Sequence, residues 1–181
     1  MNDVNLRPIN MHWVEEGDPY LDCCVHGGIY FQIDSYVVCD GNETEWTIST
    51  AAFNFLRSIF YDHALLGEEP LIPHCGFNMW AVKGQPDALY IPNCDTKVNW
   101  SIRHRGDQVI HEFVDGTTIE TSLTTWKRAV CKFADEVYEF YQTAWPKVIT
   151  DEDDRKGFEL FMSLWQERRA RANHDASSID N

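Results

Sequence analysis

Long apolar runs are the first thing this sequence lacks. No stretch approaches the roughly 18 consecutive apolar residues that cross a bilayer, and the opening MNDVNLRPINMHW holds neither a basic segment nor an apolar one behind it. No membrane partner and no secretory leader are expected, and a cytoplasmic location is. Basic charge is scarce too: 15 Lys and Arg stand against 29 Asp and Glu, a formal net charge of -14. Such a surface repels phosphate backbones, so nucleic acid is excluded as the expected partner and cationic surfaces are favoured. The sequence has no GxxxxGK[ST], GxGxxG, HExxH or GxSxG, which removes the best-marked routes to phosphate binding, zinc hydrolysis and serine catalysis. It also has no internal repeat, no low-complexity block and no long linker.

What remains is a soluble composition, 44% hydrophobic and 24% charged over 181 residues, the size of one domain at about 100 to 200 residues each. Aromatics are plentiful, with seven Trp, ten Phe and seven Tyr, and each can bury about 150 to 250 Å². One domain over 1–172 is expected, followed by a disordered polar tail over 173–181.

The run from Gly28 to Cys39 is dense in β-branched and aromatic residues and reads as two strands broken near Asp34-Ser35. From Trp46 to Phe60, apolar residues recur at helical spacing, predicting a first helix. Between Leu71 and Ile119 short extended pieces alternate with turns. Val98, Trp100, Ile102 and His104 share one face of a strand, and 109–114 returns as its hairpin partner after Arg105-Gly106-Asp107. Leu123, Trp126, Val130, Phe133, Val137 and Tyr141 predict a helix over 122–143, and a second starts in Asp151 to Asp154. The fold class is α+β: an antiparallel meander with one helix inserted after the N-terminal strands and two C-terminal helices packed on the sheet.

Six cysteines (Cys23, Cys24, Cys39, Cys75, Cys94, Cys131) read as reduced thiols, for which burial as small hydrophobes is the ordinary state. A zinc site takes four N or S donors, usually from pairs two to four residues apart. Cys23 or Cys24 with His26 is one such pair, but no CxxC occurs. His74 and Cys75 are adjacent, so in extended chain their side chains should diverge. A thiolate at Cys75 would need a histidine from His63, His104 or His111, which spacing does not single out. No metal, no cofactor and no catalytic residue are expected; Phe77 and Met79 are read as entering the core, and Trp80 is left open between the core and, like Trp13 and Trp46, an interface anchor.

Ile48-Ser49-Thr50-Ala51-Ala52 through Leu56-Arg57-Ser58-Ile59, Asp62-His63, Leu71-Ile72-Pro73-His74-Cys75-Gly76, Trp126-Lys127-Arg128-Ala129-Val130, Phe140-Tyr141, Trp145-Pro146-Lys147 and Arg155-Lys156-Gly157-Phe158 with Trp165 form a recurring pattern. Over about residues 46 to 170 it resembles the immunity proteins of bacterial polymorphic toxin and contact-dependent growth inhibition systems. The resemblance implies a non-enzymatic cytoplasmic protein that binds a cognate toxin domain, expected to be a basic nuclease, and occludes its active site. It supplies no functional residues. Candidate contacts therefore come from charge: Glu43 and Glu45, Glu68 and Glu69, and Asp151, Glu152, Asp153 and Asp154. The alternative from another class is a small Cys/His-dependent hydrolase or zinc-binding enzyme centred on His74 and Cys75.

Overall fold

A computed structural model of the protein describes residues 2–13, 17–43, 45–67 and 69–177, with side chains through 173. Strands β1 (Val4–His12), β2 (His26–Ile33), β3 (Tyr36–Asp40) and β4 (Trp46–Thr47) form an antiparallel sheet in which β2 is central and pairs with the other three. The break predicted near Asp34-Ser35 is a tight turn, with Asp34 at φ 51°, a conformation that Asp tolerates better than most residues. β1 carries no clear alternation and has Pro8 in its middle. An edge strand accommodates a proline because one side of its ladder is unpaired, and β1 lies at the edge of the sheet.

Helix α1 (Ile48–Ser58) follows directly and is buried on nearly every side. Its small residues allow that: Ala51 and Ala52 let neighbours approach, and its hydroxyls satisfy backbone groups of surrounding loops instead of needing water. Ser49 Oγ accepts from Val25 N at 3.2 Å, and Thr50 Oγ1 donates to Gly76 O at 2.7 Å.

The middle of the chain divides where a single meander was expected. β5 (Ile72–Pro73) pairs with β8 (Lys97–Val98), and β6 (Trp80–Ala81) with β7 (Leu89–Tyr90), as two separate two-stranded ladders. The meander proper is β9 (Ser101–Arg105), β10 (Gln108–Glu112) and β11 (Thr118–Ser122), with Gly106 at φ +63° in the predicted turn. Helix α2 (Leu123–Gln142) then starts on a Ser122 cap, whose side chain accepts from Thr125 N. Helix α3 (Glu152–Ser177) runs past the boundary set at 172, so 173–177 are helical rather than tail; 178–181 lie outside the described residues.

One aromatic cluster joins these layers. Phe31 of β2 stacks on Trp100 at 5.1 Å, and Phe55 of α1 meets Trp126 and Phe133 of α2 edge-on at 5.9 and 5.7 Å. Trp126 Nε1 donates to Ser58 Oγ at 3.1 Å, so the one polar atom of that indole is satisfied inside the core. α3 closes the other side of α1, with Phe53 stacked on Phe161 at 4.6 Å. The class is α+β, with antiparallel sheets and three helices.

Candidate functional site

Two loops meet at the start of α3. Val148 N donates to Tyr20 O at 2.7 Å, Lys147 Nζ to Pro19 O at 2.7 Å, and Tyr141 Oη to Cys23 O at 2.7 Å. Lys147 also lies 3.3 Å from the Trp13 ring centroid, and burial draws its pKa down to about 8. These ties bring Leu21 and Asp22 opposite Val148, Ile149 and Asp151. The loop after Cys75 closes the third side, where Cys24 Sγ sits 3.2 Å from Phe77 O. The result is a groove of about 540 Å³.

Its walls mix apolar and acidic residues. Leu21, Phe77, Met79, Val148 and Ile149 line it with Asp22, Asp151 and Asp154, and among the described residues no Lys or Arg lines it, although Lys147 lies close to Asp22 and Cys23. Leu21, Phe77 and Val148 are 54%, 50% and 51% exposed. Beside them Trp80 stacks on Tyr90 at 6.1 Å and donates from Nε1 to Asp154 at 2.9 Å. Phe77, read from the sequence as core, is therefore a surface residue, and Trp80, left open there, is exposed too; Met79 of that run is buried as read. Gly157 permits the close crossing of this segment over α3, since a Cβ there would lie 1.8 Å from Met79 O. His26 also lines the groove, and its Nε2 is buried with no hydrogen-bond partner among the described residues. Burial lowers the pKa of His26 and raises that of the neighbouring Cys23 thiol to about 11.

The acidic residues picked out by charge do not form one face. Asp151 and Asp154 line the groove, although Asp151 Oδ1 also caps α3 by accepting from Asp153 N and Asp154 N at 2.9 and 3.0 Å. Glu152 pairs with Lys156 at 2.6 Å one turn on, and Asp153 is exposed outside the groove. Glu43 and Glu45 precede β4, and Glu43 Oε1 accepts from Glu45 N at 3.2 Å. Glu69 accepts from Asn93 and lines a different concavity with Arg57 and Arg168, where its charge is offset. Glu68 lies outside the described residues. Asp22 escaped the sequence reading because a single acidic residue beside two cysteines carries no pattern.

A second constellation lies where β5 and β8 continue past their ladder. His74, Cys75 and Cys94 place one donor atom each within 4.8 Å of the others, and all three are half-buried. The adjacent pair does not diverge as extended chain would require: Cys75 Sγ is 3.7 Å from His74 Nδ1. The other histidines proposed for Cys75 are engaged elsewhere, His63 with Asn99, His104 with Asp62, and His111 with Trp100. Comparison with protein-family models, curated proteins and solved structures returned no match, so the chemistry of these residues carries the functional argument.

Proposed function

We propose that this chain is a non-enzymatic cytoplasmic immunity protein that docks a cationic toxin domain, of the nuclease class, in the groove between residues 21–23, 77–79 and 148–154. The observation that supports this reading is the groove's make-up: exposed Leu21, Phe77 and Val148 beside Trp80 and Tyr90, rimmed by Asp22, Asp151 and Asp154. Aromatic anchors supply affinity when a partner desolvates them. Carboxylates around them reject acidic partners and speed the approach of basic ones. A nuclease cleft, built to attract phosphate, matches that rim, and the formal charge of -14 extends the attraction beyond contact. Neutralisation then follows from occlusion of the cleft, with no chemical step on this chain.

The test is a tagged capture from the native host followed by a toxicity assay. The expected partner is a basic protein recovered in equal ratio, whose expression alone arrests growth and whose effect the wild-type chain cancels. Phe77→Ala with Asp22→Lys should abolish protection while leaving the fold intact, and Glu69→Lys should not. A partner without toxicity, or protection unaffected by the groove variant, would discard the reading.

A further inference from the structure

We infer that His74, Cys75 and Cys94 form a binding site for a borderline-soft divalent cation, and that zinc(II) is the ion this donor set selects. The inference rests on neither the groove nor its proposed partner. The three donor atoms lie within 4.8 Å of one another. A tetrahedral ion with bonds of about 2.3 Å to sulfur and about 2.0 Å to nitrogen holds its donors about 3.5 to 3.8 Å apart. The Cys75 Sγ to His74 Nδ1 separation of 3.7 Å already falls in that range.

The backbone around Cys75 is held by buried hydrogen bonds on both sides. Thr47 Oγ1, at the start of α1, donates to His74 O at 2.9 Å, and Thr50 Oγ1 one turn on donates to Gly76 O at 2.7 Å. The carbonyls on both sides of Cys75 are thus fixed by one buried helix. Across the ladder, His74 N donates to Thr96 O at 3.2 Å, and Cys94 Sγ approaches the same carbonyl at 3.6 Å. Ligands fixed before the ion arrives bind it with less loss of conformational freedom.

Donor chemistry narrows the ion. Two thiolates and an imidazole suit zinc, whereas magnesium and calcium take oxygen donors, and no carboxylate joins the group among the described residues. On binding, each thiol releases its proton to solvent and the imidazole coordinates as the neutral base, so a dication displaces two protons and no electron moves. Three protein donors would leave a fourth position for water, the arrangement of open zinc sites rather than closed structural ones.

The test uses the full chain, reduced and stripped of metal, titrated with cobalt(II) as a spectroscopic probe and then with zinc(II). One equivalent should bind with thiolate-to-cobalt charge-transfer intensity for two sulfurs and the visible bands of a four-coordinate ion, and zinc should displace it. Cys94→Ser should halve that intensity and weaken zinc more than about 100-fold, because even an outer-shell change costs about 10- to 100-fold. His74→Gln should keep both sulfur bands and still weaken zinc. Cys39→Ser should change nothing. Absence of the charge-transfer band in the reduced wild type overturns the inference, including the case in which Cys75 and Cys94 form only a disulfide in air. A band that survives in Cys75→Ser/Cys94→Ser protein overturns it as well.

Discussion

His111 shows how a single buried group ties folding to pH. It is fully buried between Trp100 and Thr121. Trp100 Nε1 donates to its Nδ1 at 3.2 Å, and because an indole nitrogen only donates, Nδ1 carries no proton; Nε2–H then donates to Thr121 Oγ1 at 3.2 Å. Charging the ring would oppose both Trp100 and the apolar surroundings, and burial takes its pKa down from 6.5 to about 3. The unfolded chain accepts that proton near pH 6.5, while the folded one refuses it until about pH 3. The stability His111 contributes is therefore fully present above pH 6.5 and is lost on acidification, at about 1.4 kcal/mol per pH unit. His111→Gln should be less stable than wild type at pH 7 by about 1 to 3 kcal/mol. Measured by urea unfolding, that gap should narrow by about 2 to 3 kcal/mol at pH 4.5. Parallel pH slopes would mean that the imidazole does not resist protonation.

At the scale of elements, Gly157 inverts an ordinary rule. Glycine inside a helix is about 1 kcal/mol worse than alanine, so Gly157→Ala would stabilise a free-standing α3. Here a Cβ would sit 1.8 Å from Met79 O and 3.1 Å from Trp80 Cα, contacts that only backbone movement relieves. The variant should lose about 1 to 3 kcal/mol, the range for overpacking, and hydrogen exchange should quicken in 77–81 before it does in α2. An increase in urea midpoint would show that α3 does not touch β6. Ser122→Ala removes one acceptor at the start of α2 and should cost about 1 kcal/mol. The elements legible in the sequence were those with a period: α2 occupies 123–142 against the predicted 122–143, and the β9–β10 hairpin turns on Arg105-Gly106-Asp107 as read. β1 was not legible, because Pro8 and a polar pattern hide an edge strand. The two-residue ladders β5–β8 and β6–β7 were not either, since two residues carry no period. Those ladders bring Cys94 to Cys75 and lift Phe77 and Trp80 onto the surface, so half the candidate site was invisible for the same reason. Asp151 and Asp154 were singled out beforehand by charge, and His74 and Cys75 by their adjacency.

At the scale of the whole molecule, the formal charge of -14 acts on folding and on association with opposite signs. The ion pairs Arg103–Glu112, Arg105–Glu120, Arg155–Glu159 and Glu152–Lys156 have exposed side chains, and such pairs are worth about 0 to 1 kcal/mol each. Repulsion among the excess carboxylates reaches across the domain at 0.01 M ionic strength, where the Debye length is about 30 Å, and falls away at 0.15 M, where it is about 8 Å. Screening should therefore stabilise the fold: the urea midpoint at pH 7 should rise between these two salt concentrations. A fall would show that the local pairs outweigh the net repulsion. The same screening would remove the long-range pull on the proposed cationic partner, and steered association slows steeply with salt from its low-salt ceiling of about 10⁸ to 10⁹ M⁻¹s⁻¹. Stopped-flow mixing with the captured partner should thus give a rate that falls over the interval in which the fold gains stability. If both quantities moved together, the salt effect on binding would come from changes in this chain's own stability rather than from attraction between the two surfaces.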